Sequence, residues 1–311
     1  MDKIKEYSPL TVHLAVQLAA PHTWPAAVLP VLFAVALAAV FNHSVSITLA
    51  IALLAICILM QASVNTINDY YDFVKGTDTL DNQDDPTDAV LVYNNIKPRS
   101  ALNLALGFLA VAFLLGFYVI YCAGWIPLAI GIVGAVIILL YSAGKSPISY
   151  LPIGEFVSGI TMGGLIPLAC FQALTGDLDG RILLLALPFI AGIGLIMFTN
   201  NTCDIEKDVE AGRKTLSVLF GRKRARSIYH AILAFWIAAI VILVAIFFSS
   251  GLIVMPFMLL VLYPALRGLL KNPLNTATRG AAMPQCLTIN IAFGAFYIAA
   301  ILFSGAAFLA F

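Results

Sequence analysis

Charge and cysteine are both scarce in this chain of 311 residues. Aspartate, glutamate, lysine and arginine make up 11% of it and nearly cancel, so no basic excess indicates a nucleic-acid partner. The five cysteines stand singly, without the CxxC spacing of a zinc site, and this pattern excludes a disulfide framework. Hydrophobic residues instead reach 61%, which is more apolar surface than one soluble core can bury.

The apolar residues gather in nine runs, most of them near the length of about 20 residues that a helix needs to cross a bilayer. The predicted spans are 13–41, 45–67, 101–121, 125–142, 153–175, 182–201, 227–248, 252–267 and 285–308. Eight or ten spans are alternatives, because Pro256 and Pro264 interrupt the eighth run. The sequence therefore predicts an all-α polytopic membrane protein, with one helical bundle that forms a single domain over residues 1–311.

The distribution of basic residues predicts how the chain is oriented. With a cytoplasmic N-terminus, every lysine and arginine except Arg181 falls on the inner side, and the C-terminus lies outside. The two longest loops, 68–100 and 202–226, also fall on the inner face, so we expect them to cap a functional site there. The expected location is a bacterial or archaeal cell membrane.

Asparagine and aspartate are concentrated at the inner end of the second span, in the segment N-T-I-N-D-Y-Y-D-F-V-K-G-T-D at 65–78. At about 100° per residue, one helical face carries four of these side chains, namely Asn65, Asn68, Asp69 and Asp72. Asp78 would point away on a continuing helix, so it joins the group only if the chain turns at Gly76. We expect the chain to turn there.

A second cluster, N-N-T-C-D-I-E-K-D at 200–208, ends the sixth span. Its members Asn201, Asp204 and Asp208 are spaced so that they share one face of a helix. Both clusters end even-numbered spans, and the predicted topology therefore brings them to the same side of the membrane. We expect the two clusters to face each other.

Carboxylates three or four residues apart repel each other unless a cation lies between them. Oxygen-only groups of this kind suit Mg²⁺, which typically shares its coordination shell with substrate phosphates. Cationic residues nearby would complement the phosphate charge, namely Lys145, Arg213, Lys214 and the run Arg222 to Arg226. The combination predicts a magnesium site that binds a pyrophosphate.

Two other interpretations explain the same residues. Acidic residues beyond a span are often solvated loop, and the aspartates at 78–88 fit that description. A cation-coupled transporter also places carboxylates in a membrane, but it binds its ion near the bilayer midplane. Here both clusters lie at one face beside basic loops, and polar groups at membrane depth are costly, which favours an enzyme site.

The paired motifs N-x-x-N-D-x-x-D-x-x-x-G-x-D at 65–78 and N-x-x-D-x-x-x-D-x-x-x-G-[RK]-x-T-L at 201–216 resemble those of the UbiA-type intramembrane prenyltransferases. Within that superfamily the second motif, read on to Gly221, is most similar to the branch that prenylates 1,4-dihydroxy-2-naphthoate in menaquinone synthesis. The segment Y-S-A-G-K at 141–145 resembles the Tyr-x-x-x-Lys of the fourth helix, and Glu155 fits the pattern of the fifth.

This resemblance implies a helical bundle around a cavity open to the cytoplasmic side and to lipid. Two Mg²⁺ ions would bridge the motifs and an isoprenyl diphosphate, and their implied ligands are Asn68, Asp69, Asp72, Asp78, Asn201, Asp204 and Asp208. The implied catalytic residues are Asp72, Asp204, Lys145 and Tyr141, and the implied diphosphate-binding residues are Asn65, Lys145, Arg213 and Lys214.

The implied reaction transfers a polyprenyl group from its diphosphate to 1,4-dihydroxy-2-naphthoate. Another quinone precursor, a chlorophyllide-like ring or a polar lipid are alternative acceptors. The sequence departs from the family at the acceptor end, where Ala20 of A-P-H-T-W-P stands in the place of the family's arginine and His22 follows closely. That difference is consistent with a changed acceptor or with a divergent member of reduced activity.

Overall fold

The computed structural model describes residues 7–42, 44–77, 79, 89–144 and 146–309, and it is helical with no strand in that part of the chain. Six helices are long and apolar enough to cross a membrane, and a bent pair at the N-terminus makes a seventh candidate. The predicted all-α membrane architecture is confirmed. Asp78 and Lys145 lie outside the described residues.

Helices account for nearly all of the described chain. In chain order the α-helices are α1 (Val12–Ala19), α2 (Pro25–Asn42), α3 (Ile47–Lys75), α4 (Val90–Asn94), α5 (Pro98–Ala123), α6 (Ile126–Ser142), α7 (Gly154–Ser158), α8 (Ile166–Thr175), α9 (Arg181–Leu185), α10 (Leu187–Cys203), α11 (Ile205–Glu210), α12 (Leu216–Phe247), α13 (Met255–Lys271) and α14 (Arg279–Leu309). Short 3-10 turns lie at Pro21–Thr23, Ile148–Tyr150, Ser249–Val254 and Thr276–Thr278. A π-helical stretch, Gly159–Leu165, joins α7 to α8 in one apolar span.

The first predicted span is bent rather than straight. Helices α1 and α2 meet at 56° across the turn Pro21–Thr23, because the proline has no N–H with which to continue the helix. Ala20, which precedes the turn, adopts the left-handed conformation with φ 46°. Asn65 of α3 holds this break, since its Nδ2 donates to Ala19 O at 3.0 Å and to Thr23 Oγ1 at 2.8 Å.

The main core lies where α2, α10, α12 and α14 pack together. Three aromatic rings meet there, with 4.9 Å between the ring centroids of Phe33 and Phe189 and 5.7 Å between those of Phe33 and Tyr297. The Tyr297 hydroxyl donates to Leu185 O at 3.0 Å, so its polar atom is satisfied within the apolar interior. This packing fixes α10, which ends at the second polar cluster.

Two glycines let the fifth predicted span pack directly on the backbone of α10. A Cβ at Gly163 would lie 2.4 Å from Ile190 N, and a Cβ at Gly159 would lie 2.6 Å from Ile190 O. Small residues at such a position allow two helix backbones to approach closely. This contact holds the helix that carries Glu155 against the helix that carries the second cluster.

Candidate active site

A cavity of about 730 Å³ lies among the helices, and apolar side chains of α3, α5, α6 and α8 form most of its wall. Leu53 and Asn68 both line it, and at 1.5 Å per residue they lie about 22 Å apart along α3. Its polar end is formed by Asn65, Asn68, Asp69, Asn200 and Arg279. A long apolar cavity with one polar end suits a ligand that has a polar head and an extended apolar tail.

One arginine joins the two polar clusters. Arg213 Nη2 donates to Asp72 Oδ1 at 2.9 Å, and Arg213 Nη1 lies 3.5 Å from Asp208 Oδ1. The guanidinium also lies over the ring of Tyr150, 4.9 Å from its centroid. The clusters at 65–78 and 200–208 therefore meet, as the topology predicts.

Asp208 is the most enclosed carboxylate of the second cluster, with 3% of its side chain exposed. Thr215 Oγ1 donates to its Oδ2 at 3.1 Å. Burial raises the pKa of this carboxyl to about 6, and the nearby Arg213 guanidinium limits the rise. A bound cation would favour the ionised form of such a group, because the cation supplies the counter-charge that burial removes.

Asn68 and Asp72 are held as a pair one helical turn apart. Asn68 Nδ2 donates to Asp72 Oδ2 at 3.0 Å, and Asn68 Oδ1 accepts from Ser142 Oγ at 3.0 Å. Lys75 Nζ donates to Ser142 O at 2.8 Å and lies 4.9 Å from the centroid of the Tyr150 ring. Contacts from α6 therefore orient the first cluster at the polar end of the cavity.

Asp69 contacts the inner loop. Its Oδ2 accepts from Val90 N at 2.9 Å and its Oδ1 accepts from Leu91 N at 3.3 Å. Val90 and Leu91 are the first two residues of α4, and the first N–H groups of a helix have no acceptor within that helix. The buried carboxylate thus ties α4 to α3, and metal binding by Asp69 would have to share oxygens that already accept backbone hydrogen bonds.

The second cluster does not lie on one continuous helix. Helix α10 ends at Cys203 and α11 begins at Ile205, with Asp204 at the break in a non-helical conformation of φ −102° and ψ 21°. The expected common face of Asn201, Asp204 and Asp208 assumed an unbroken helix. The break turns these side chains toward different neighbours.

Asn201 lies in the bundle interior, where its Nδ2 donates to Glu155 Oε1 at 2.8 Å. Asp204 instead accepts from Arg279 Nε at 3.0 Å, and Arg279 Nη2 donates to Asn200 Oδ1 at 2.8 Å. Asn200 and Arg279 line the cavity. The polar end of the cavity therefore holds Asn200, one residue before the predicted ligand.

The other predicted residues lie in varied positions. Tyr141 lines the cavity, and the side chain of Lys214 is exposed. Gly76 adopts φ 70° and ends α3, so the chain turns where the sequence predicts a turn. Asp78, two residues later, is among the residues not described, as is Lys145.

The basic run at 222–226 lies elsewhere. Arg222 donates to both carboxylate oxygens of Glu206 at 2.6 and 2.7 Å, and its Nε donates to Leu274 O at 2.8 Å. The chain kinks at Gly221, with φ 70° and ψ 156°, just before the run. Arg222 is paired with Glu206, and no described residue that lines the cavity belongs to the run.

Sequence reasoning missed Asn200 and Arg279 as site residues. Arg279 is a single cation in front of the last apolar run on the predicted inner face, and that position was the available signal. Asn200 gives none, because the packing of α10 in the bundle decides which of two neighbouring asparagines faces the cavity.

No three histidine, cysteine, aspartate or glutamate side chains in the described ranges are grouped closely enough to hold a metal ion. Arg213 and Arg279 bind the carboxylates directly and neutralise them. The side-chain oxygens brought to the site are nevertheless those that a hard divalent cation prefers, and they come from Asn68, Asp72, Asn200, Asp204 and Asp208. The donor set fits Mg²⁺, which would supply the charge now supplied by the arginines.

The sequence model of the UbiA prenyltransferase family matches residues 27–283. The chain is 38% identical to a 1,4-dihydroxy-2-naphthoate octaprenyltransferase of Bacillus subtilis over 229 residues, which cover 73% of each protein. It is 31% identical to the protein of that name from Mycobacterium tuberculosis over 221 residues, 70% of this chain and 73% of that protein. A UbiA homologue from Archaeoglobus fulgidus, solved with GPP and Mg²⁺, shares the fold with a TM-score of 0.63 at 19% identity, over 92% of this chain and 99% of the homologue.

Proposed function

The chain belongs to the UbiA prenyltransferase family, and from this premise we propose that it transfers a polyprenyl group from a polyprenyl diphosphate to 1,4-dihydroxy-2-naphthoate in menaquinone biosynthesis. The names of the relatives from Bacillus subtilis and Mycobacterium tuberculosis support this acceptor. The observation that carries the proposal is the link from Asp72 through Arg213 to Asp208, which is joined to the polar end of an apolar cavity by the hydrogen bond from Asn68 to Asp72.

We propose that the site uses two Mg²⁺ ions. One would be held by the first motif, through Asn68, Asp69, Asp72 and Asp78, and the other by the second motif, through Asn201, Asp204 and Asp208. The oxygen-only donor set supports this assignment, and the position of Asn200 on the cavity wall adds it as a candidate ligand. When bound, Mg²⁺ would neutralise charge that develops on the leaving diphosphate.

The chain's own residues prepare the substrate for ionisation. Arg213 and Arg279 present guanidinium groups that bind diphosphate oxygens in a fixed geometry, and Lys145 and Lys214 would add further positive charge. The apolar wall excludes water from the allylic cation that forms when the diphosphate leaves, so the aromatic carbon captures the cation instead. The naphthoate ring then loses its carboxylate as CO₂, which restores its aromaticity. Tyr141, on the cavity wall, would stabilise that cation through its ring face.

The acceptor is expected to enter near the bend between α1 and α2. Ala20, His22 and Thr23 line the cavity there, and Asn65 hydrogen-bonds to this turn. The side-chain amide of Asn65 donates to Ala19 and Thr23 at this bend, whereas the sequence predicts that Asn65 binds the diphosphate. We propose that His22 replaces the family's arginine as the polar group nearest the acceptor.

We propose nine spans with the N-terminus and the active site on the cytoplasmic side. Support comes from the six long helices, the bent N-terminal pair and the two shorter apolar helices α6 and α10, each of 17 residues. The basic residues favour this orientation, which opens the cavity to the cytoplasmic side and the lipid. The chain would act as a single domain whose inner loops, 68–100 and 202–226, cap the site, and the Asp69 bonds to α4 support that arrangement.

The test is an assay of purified protein with polyprenyl diphosphate, 1,4-dihydroxy-2-naphthoate and Mg²⁺, with the prenylated product measured by mass spectrometry. Asp72→Ala and Asp204→Ala should each lower turnover about a hundredfold or more. Asp177→Ala is the matched control, because Asp177 is exposed and distant in the fold. Wild-type turnover in either site variant would refute the site, and product with only another acceptor from a panel would refute the proposed acceptor.

A further inference from the structure

A second cleft, of about 520 Å³, lies where the kinked helix α12 passes the loop between α13 and α14. One side is formed by Arg222, Lys223, Arg226, Ser227 and His230 of α12, and the other by Pro273. It shares no described lining residue with the apolar cavity. This cleft is therefore separate from the candidate active site.

The two arginines, the lysine and the histidine of the cleft lie on one face of α12. At about 100° per residue, Lys223, Arg226 and His230 fall within roughly a quarter turn of Arg222, whereas Arg224 falls on the opposite side. Arg222 is neutralised by Glu206, which leaves the other cations of the face to be balanced.

Those other cations have no acidic partner within the described ranges. Arg226 Nε and His230 Nε2 are both buried atoms without a hydrogen-bond partner there. Buried polar atoms are rarely left unpaired, because an unmade hydrogen bond in the interior is costly. The cleft therefore presents two unused nitrogen atoms and an uncompensated positive charge.

The position of the cleft along α12 indicates which kind of anion would bind there. After the kink at Gly221 the helix starts again at 222, so the basic face lies in its first turns, where the helix dipole is also positive. Apolar residues follow from Ile228 onward, and Leu219 and Phe220 are exposed just before the kink at 58% and 43%. The cations therefore lie at the level where the helix enters the membrane, beside exposed apolar side chains.

We propose that this cleft binds the phosphodiester headgroup of an anionic glycerophospholipid. Basic pockets between transmembrane helices bind anionic lipid headgroups, and charge-assisted hydrogen bonds from Arg226 and His230 would hold the phosphate oxygens. The proposal does not depend on prenyl transfer, since no residue of the cleft belongs to the candidate active site.

The test is native mass spectrometry of the full-length protein in detergent, titrated with dioleoylphosphatidylglycerol or with dioleoylphosphatidylcholine. The anionic lipid should bind at least about fivefold better, and Arg226→Gln should weaken its binding about tenfold. Arg224→Gln removes the same charge from the opposite face of the same helix and should retain binding. If Arg226→Gln protein does not fold, Lys223→Gln carries the same comparison, because Lys223 is an exposed cation that lines the cleft.

Three outcomes would overturn the proposal. Equal binding of both lipids would remove the charge requirement, and equal loss in the Arg224→Gln and Arg226→Gln proteins would make the effect one of general surface charge. Complete displacement of the lipid by millimolar inorganic phosphate or geranyl diphosphate would assign the cleft to a small phosphate anion instead. Retained lipid under those competitors, lost only in the cleft variants, supports the lipid headgroup.

Discussion

Arg213 and Asp72 are separated by 141 positions in the sequence, and Arg213 Nη2 donates to Asp72 Oδ1 at 2.9 Å. The same guanidinium reaches Asp208, so one side chain connects the ends of α3 and α11. This arginine provides positive charge to both facing carboxylates. The two clusters are therefore joined through a side chain of the protein itself.

Replacing this arginine should weaken the use of the prenyl diphosphate. We expect Arg213→Gln to lower kcat/KM for that substrate about tenfold to a hundredfold, because one charge-assisted hydrogen bond contributes about 1.5–3 kcal/mol. The measurement is steady-state prenyl transfer at saturating acceptor. Arg224→Gln, an exposed arginine of α12 that does not line the cavity, should stay within about twofold, and an equal loss in both variants would contradict a specific role for Arg213.

Asp69 should act on the inner loop. In Asp69→Ala the amides of Val90 and Leu91 lose their acceptor, so α4 loses a cap that is worth about 1 kcal/mol. Hydrogen exchange measured over peptides covering 89–96 should speed up in this variant. Asp72→Ala, which removes a carboxylate about one turn later on α3 and keeps both Asp69 acceptors, should leave those peptides unchanged, and faster exchange there would refute the assignment.

The raised pKa of Asp208 predicts a pH dependence of stability in metal-free protein. Its carboxyl binds a proton more tightly when folded, with a pKa of about 6 against an ordinary 3.8. The stability that this protonation contributes is complete below the unfolded pKa and is lost as pH rises through about 6. Thermal unfolding in detergent should therefore show this decline between about pH 4 and pH 7, and Asp208→Asn should lack it. An identical pH profile in the variant would contradict the prediction.

The contact of Gly163 with Ile190 predicts a stability effect away from the site. A Cβ at Gly163 has no space, so Gly163→Ala should lower the free energy of unfolding by about 1–3 kcal/mol. Gly107→Ala is the matched control, because a Cβ there meets nothing within 4 Å and alanine favours the helix. Thermal melts of both proteins give the comparison, and equal melting temperatures would contradict the packing argument.

Much of the fold follows from the order of residues alone. Most apolar runs are about as long as a helix that crosses a bilayer, so hydropathy locates the helices. Both clusters end even-numbered spans, and this placement predicts that they meet. Gly76 also predicts its own turn, because few other residues adopt φ 70° without strain. These features depend on local composition and on chain order, which the sequence contains.

The partners of individual side chains are less accessible to sequence reasoning. The helical face proposed for Asn201 and Asp204 fails because the helix ends between them, and helical periodicity does not reveal such a break. Arg279 reaches Asp204 across 75 positions, a contact that only the packing of α14 on α10 creates. The kink at Gly221 likewise directs the basic run away from the site.

Helices α3 and α10 both end at the polar clusters, and both therefore present their carboxyl-terminal ends to the site. A helix carries a macrodipole equivalent to about half an elementary negative charge at that end. Two such ends add partial negative charge to the carboxylates of the clusters. The guanidinium groups of Arg213 and Arg279 therefore balance the helix ends as well as the carboxylates that they bind, which gives both arginines a role in stability as well as in the site.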